Sequence, residues 1–300
     1  LSELATNTNI SVLVENTSNL VDHQFNHCID RSLTLIPKEK QAEYAPDILI
    51  TLGGAIISKK IKQFLRKYKA KKHYRVSYAF PKMDTYRCLH KCFDCSVDTF
   101  IKTLDSIAIE RNTINYGPKW KELDYKAKDK SEEYYKNISY SDLAVFNEIT
   151  KNIPKNSIVH MANSSVVRYF QLFDPYEDLR YHCNRGTSGI DGSSSTAFGA
   201  SYATPDNDHV LITGDVSFFY DSNALWNSYL KPNIKVILIN NSGGGIFNII
   251  PGPANSPLRA KYFEATHEHS AEYICKAFNL KYQKILSDPK KLIQAKAIQV

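Results

Sequence analysis

Residues 214–245, GDVSFFYDSNALWNSYLKPNIKVILINNSGGG, decide the fold. The segment begins where one apolar β-branched run ends (209–213), contains a second (235–239), and closes on two Asn and three Gly. A strand, a helical connection and another strand within about 30 residues is the unit of a parallel sheet, and it brings both carboxyl ends to one edge. Asp215 and Asn241, 26 positions apart, are then expected side by side where open α/β sheets receive ligands. Hard oxygen donors of this kind suit Mg²⁺ or Ca²⁺. Taken singly, Asp215 reads as a helix cap and Asn240-Asn241 as a turn. Together with Gly243–Gly245, whose backbone allows close approach, they read as a metal–diphosphate site.

The same alternation extends on both sides. Residues 141–152 carry a helical apolar spacing behind a Ser-Asp start, and 157–161 read as a strand ending at Asn163-Ser164-Ser165. Helix is expected over 166–173, a Gly-rich loop over 184–192, a small-residue helix over 193–202 and another helix over 223–230. Nearer the start, strands are expected at 9–15 and 47–52, the latter followed by Gly53-Gly54 and an amphipathic basic helix. That Gly pair alone lacks the fuller spacing of a nucleotide-binding loop. Between 111 and 138 the composition turns to Lys, Glu, Asp, Asn and Tyr without strand patterning. The fold class expected is α/β with two parallel-sheet sandwiches: a Rossmann-like domain over 1–110, a linker over 111–138, and a second domain over 139–300.

Composition narrows the function classes. With 43% apolar and 23% charged residues the 300-residue chain can bury a core, and 12 Gly and 12 Pro exclude collagen-like sequence. No apolar run reaches the roughly 18–20 residues of a membrane span. The net charge of +7 is concentrated in residues 59–75, which hold nine Lys or Arg and no acid. This stretch reads as a solvated helix back, the alternative being a nucleic-acid or acidic-surface patch. Six scattered cysteines fit a reducing, cytoplasmic setting better than a disulfide framework.

The GD…NN arrangement resembles the thiamine-diphosphate motif of decarboxylases, transketolases and acetolactate synthases. Four blocks sharpen this: NSSVVR (163–168), NRGTSGIDG (184–192), GDVSFFYDSN (214–223) and NNSGGGIFNIIP (240–251). In combination they are similar to the 2-succinyl-5-enolpyruvyl-6-hydroxy-3-cyclohexene-1-carboxylate synthase family of menaquinone biosynthesis. The first 110 residues match that family's central domain only in pattern. The general motif has Gly after the Asp where this chain has Val216, a variant usual in this family.

The resemblance implies a thiamine diphosphate- and Mg²⁺-dependent (or Mn²⁺-dependent) transferase. Asp215 and Asn241 would hold the metal by side chains and Gly243 by its carbonyl; Gly214 and Ile246 would line the cofactor, and Ile190 would bend it from below. Arg168 and Arg185 would clamp substrate carboxylates with help from Ser164, and Phe247 and Ile250 would form an apolar wall. The implied substrates are 2-oxoglutarate and isochorismate. The activating Glu would come from a pyrimidine-binding domain of a partner subunit, in a homodimer or homotetramer. No such domain precedes Leu1, so the chain alone is expected to contain no catalytic residue and to be inactive, and a final strand and helix are expected to be missing after Val300. Nucleic acid is not an expected partner. Another thiamine-diphosphate enzyme, such as an acetolactate synthase, is the in-class alternative; the out-of-class alternative is a non-catalytic binding module using residues 59–75.

Two clusters read as decoys. Cys88, Cys92 and Cys95 have the C-x₃-C-x₂-C spacing of an iron–sulfur site, but no series of βα units follows them. His267 and His269 stand at i, i+2, which on a helix point apart, so 267–269 read as an ordinary helix start.

Overall fold

The computed structural model describes residues 1–79, 82–105, 115–285 and 298–299. The chain divides into two compact units, residues 1–15 with 20–134, and residues 16–19 with 135–300.

The first unit holds helices α1 (Ser2–Ala5), α2 (Ile29–Thr34), α3 (Lys59–Lys67), α4 (Val97–Asp105) and most of α5 (Tyr116–Lys136), with strands β1 (Ile48–Leu52), β2 (Lys72–Val76) and β3 (Leu89–Phe93). The strands pair in parallel in the order β1-β2-β3. α3 begins where Ser58 Oγ accepts the Ile61 N–H, and it buries Ile61, Phe64 and Leu65 against α2 and α5. The basic stretch is therefore not one helix. α3 ends at Lys67, and residues 72–76 enter the sheet with His73 and Arg75 buried, so the charges do not share one helical face. The carboxylate of Glu15 accepts the Ile57 and Ser58 N–H groups at 2.8–3.0 Å, just ahead of α3. Burial raises its pKa against the pull of those two donors.

No strand forms at 9–15; Leu13 makes only an isolated bridge with Asn26. The patternless stretch read as a linker is, over its described part, helix α5. Its Trp120 and Leu123 are buried in the first unit's core, where Trp120 meets Tyr44 and Phe64 edge-on at 5.4 and 6.4 Å.

The second unit runs α6 (Asp142–Asn152), β4 (Ile158–Met161), α7 (Ser165–Phe170), β5 (Arg180–His182), α8 (Ser193–Ala203), β6 (His209–Gly214), α9 (Asp215–Tyr220), β7 (Ile234–Ile239), α10 (Ala271–Ala277) and β8 (Ile298–Gln299). The sheet order is β5-β4-β6-β7-β8, parallel except for β8. Strand order reverses at β4, so the loops after β4, β5 and β6 open at a topological switch point. β6 is buried almost throughout, as a central parallel strand must be. The helix expected at 223–230 is replaced by a 3₁₀ turn over Ser222–Leu225. Asn227 diverts the backbone there: its Nδ2 donates to Ala224 O and its Oδ1 accepts the Tyr229 N–H. The helical pattern seen at 288–297 lies outside the described residues.

Inside this sheet His160 and His209 share a hydrogen bond of 3.0 Å, and His209 continues to Thr204 Oγ1 at 3.0 Å. Burial, with repulsion from the His209 and His182 rings, pushes His160 down to about 3. Burial also lowers His209. The His160 ring stays neutral when folded down to about pH 3 yet protonates near pH 6.5 when unfolded, so its contribution is full above pH 6.5 and is lost progressively as pH falls below it; the lowered His209 acts in the same direction. The unfolding free energy from urea titrations should fall by about 1.4 kcal/mol per pH unit below about pH 6.5 on account of His160, and less steeply in His160→Gln. In the first unit, Trp120→Ala should cost about 3–5 kcal/mol in urea unfolding; a loss under about 1 kcal/mol would remove α5 from that core.

Candidate functional site

The parallel pairing of β6 with β7 sets Gly214 opposite Ile239, so the chain leaves both strands at the same level. Asp215 is the first residue of α9 and is only 2% exposed. Its Oδ1 accepts the Val216 N–H at 2.7 Å, and its Oδ2 accepts the Gly243 N–H at 3.0 Å from the loop after β7. The two loops therefore meet at one carboxylate. Gly243 has φ +146°, and a Cβ there would lie 2.6 Å from Glu264 O, so only glycine fits. Asn241 is exposed and its amide nitrogen donates to Asp142 Oδ2 at 3.0 Å, at the head of α6. A side-chain amide whose nitrogen is engaged in this way keeps its oxygen as the acceptor.

His267 reaches the same carboxylate. Its Nε2 lies 3.3 Å from Asp215 Oδ2, within ion-pair distance but outside hydrogen-bond geometry, and is buried without a hydrogen-bond partner. Residues 265–270 are not helical, and the helix begins only at Ala271 behind the Ser270 cap. Outside a helix the i, i+2 pair is free to face one way, and the His267 and His269 rings stack at 5.4 Å.

α9 is pinned at its start to the loop before α8 and at its C-cap to the first turn of α8. Ser217 Oγ donates to Ile190 O at 2.5 Å, and Asp221 accepts from both the backbone N–H and the hydroxyl of Ser195 at 2.7 and 2.5 Å. Half-buried Ile190 is thus tied through its own carbonyl to the helix that begins at Asp215. On the loop after β7, Ile246 is buried, Phe247 packs on Phe263 at 5.6 Å, and Ile250 is half-buried.

The third cluster lies after β4 and β5. Ser164 takes φ +72° at the head of α7, and its carbonyl accepts Arg168 Nη1 at 2.5 Å. Arg185 Nη1 donates to Asn163 Oδ1 at 2.7 Å. Both guanidinium groups act on Cys183, whose thiol burial pushes up to about 11 while Arg185 and Arg168 draw it down. Arg168 and Arg185 therefore share one electrostatic neighbourhood.

Sequence reasoning passed over Asn163, Ser217 and His267. Asn163 opens one of the quoted blocks, yet its amide gives no signal until the loop folds back on it. Among the described residues no group of three or more His, Cys, Asp or Glu side chains is placed to hold a metal, the Cys88–Cys92–Cys95 set included. No helix among them is long and apolar enough to cross a membrane.

Comparison with known proteins agrees with this geometry. Residues 1–161 match the family described as the middle domain of thiamine pyrophosphate enzymes, and residues 163–297 match the thiamine pyrophosphate enzyme C-terminal TPP binding domain. The chain is 45% identical over 293 residues to the 2-succinyl-5-enolpyruvyl-6-hydroxy-3-cyclohexene-1-carboxylate synthase of Christiangramia forsetii, covering 96% of this chain and 50% of that protein. Proteins of the same name from Flavobacterium johnsoniae (43% over 284 residues, 95% and 51%) and Bacteroides thetaiotaomicron (35% over 261 residues, 85% and 45%) match similarly. The chain thus spans about half the length of these curated relatives. With an α/β architecture, a loop pair meeting at Asp215 and both domain matches in succession, the chain belongs to the thiamine pyrophosphate enzymes.

Proposed function

We propose that the protein is a 2-succinyl-5-enolpyruvyl-6-hydroxy-3-cyclohexene-1-carboxylate synthase: 2-oxoglutarate loses CO₂ and its four-carbon remainder adds in a 1,4 fashion to isochorismate. The observation that carries this reading is the contact of Gly243 with the buried Asp215 carboxylate, in a chain 45% identical to a synthase of that name.

The residues present fit a Mg²⁺–diphosphate group. Asp215 offers a desolvated carboxylate, Asn241 an amide oxygen and Gly243 a carbonyl, a hard-oxygen set that leaves room for phosphate and water. Buried His267 Nε2, without a hydrogen-bond partner, marks the same point as one built around a charge. Asp142 fixes the Asn241 amide by taking its nitrogen, so the oxygen is the end left for a cation. Gly214 and Ile246 line the cofactor, and Ile190 presses on it from a loop that Ser217 anchors. When bound, thiamine diphosphate supplies a nucleophilic carbon and an electron sink that side chains lack. Arg168 and Arg185 bind and orient substrate carboxylates, since planar guanidinium pairs with carboxylate through two parallel bonds. Ser164 adds a hydrogen bond in the same pocket, while Phe247 and Ile250 exclude water on the opposite side. The activating Glu would come from a pyrimidine-binding domain of a partner subunit in a homodimer or homotetramer, which leaves this chain the binding and orienting roles.

In the intact protein, product formation from 2-oxoglutarate and isochorismate should require both thiamine diphosphate and Mg²⁺. Turnover of pyruvate instead would assign an acetolactate-type carboligase. Asp215→Ala should weaken Mg²⁺-dependent cofactor binding, read by fluorescence titration with and without EDTA, by at least about a hundredfold. Ile190→Ala should lower kcat roughly ten- to a hundredfold with little change in KM, the mark of a lost conformational push.

A further inference from the structure

Asn163 is where the loop bearing Arg185 is fastened to the sheet. It follows β4 and is 2% exposed. Its Nδ2 donates to the carbonyls of Asn184 and Gly189, both at 2.7 Å. Its Oδ1 accepts Arg185 Nη1 at 2.7 Å and Cys183 Sγ at 3.4 Å. Two N–H hydrogens and two lone pairs are the whole capacity of a side-chain amide, so nothing of it is left over.

The partner that Arg185 receives is neutral. A hydrogen bond to an amide oxygen orients the guanidinium without cancelling its charge, whereas a carboxylate in the same place would form an internal ion pair. Arg185 Nε, meanwhile, is buried and has no hydrogen-bond partner. A donor so placed is suited to an acceptor that arrives from outside.

We propose that Asn163 is a positioning residue that sets selectivity for a 2-oxo acid with a second carboxylate: by holding Arg185 through a neutral acceptor, it leaves the guanidinium charge uncompensated by the protein at that contact and aimed at the substrate carboxylate farthest from the keto group. This rests on the 2-oxoglutarate reading above and identifies what makes that site discriminate.

The test compares 2-oxoglutarate with 2-oxopentanoate, which is equally long but lacks the distal carboxylate, in the intact protein with isochorismate as acceptor. Asn163→Asp should raise KM for 2-oxoglutarate roughly ten- to a hundredfold, hold kcat within about threefold and leave 2-oxopentanoate nearly unaffected. A merely structural role would depress kcat for both substrates alike. Asn163→Ala, which loosens Arg185 without neutralising it, should lose a smaller part of the preference and carries the test if Asn163→Asp does not fold. Arg185→Met should abolish the preference, and Asn163→Asp added to it should change nothing more. A preference undiminished from the parent in either folded Asn163 variant, or an Asn163→Asp effect additive with Arg185→Met, would overturn the proposal alone. A parent protein that does not prefer 2-oxoglutarate would overturn the functional reading and the proposal with it.

Discussion

Burying an ionised carboxylate costs several kcal/mol unless donors or a cation meet it, and the second unit is arranged around that requirement at Asp215. The residue sits at the head of α9, where the first-turn N–H of Val216 meets one oxygen and the loop after β7 brings the Gly243 N–H to the other. For that loop to reach, β6 and β7 must be neighbours and parallel, and residue 243 must take a conformation closed to any side chain. The glycine at 243 is therefore a consequence of the carboxylate's depth. The ties from α9 to Ile190 and Ser195 extend the same order backward into the loop before α8 and the first turn of α8.

Much of this was legible in the sequence because apolar, β-branched strands and Gly-rich turns leave strong local marks. β1, β4, β6 and β7 fall where their patterns place them, and Ser141 caps α6 as its Ser-Asp start implies. The strands that escaped notice are those whose buried residues are polar or few. β2 reads as part of a basic run, although His73 and Arg75 are buried in it, and β5 is three residues long. The helix expected after Asn223 failed because Asn227 offers the backbone a competing set of hydrogen bonds. The His267 pair was misjudged because the helix starts only at Ala271, and the non-helical backbone before it lets the two rings stack where a helix would separate them.

Of the candidate site, the residues proposed for metal and cofactor were visible as types at a spacing, but what orients them was not. Asp142 on Asn241, Ser217 on Ile190 and Asn163 on Arg185 are each contacts across 22 to 99 positions of sequence. Such partners are ordinary polar residues until the chain folds. Their shared logic is that a neutral or remote group fixes the direction of a functional one without consuming the face that meets the ligand.

The first unit answers the same need differently. Glu15 lays its carboxylate on the N–H groups just before α3, the place in a βα turn where a dinucleotide would lodge its phosphate. Because Glu15 belongs to the same chain, its effective concentration at that point is that of a tethered competitor, about millimolar or higher. A free nucleotide would have to evict it and leave a carboxylate stranded away from water. The turn is in this sense already ligated by its own polypeptide.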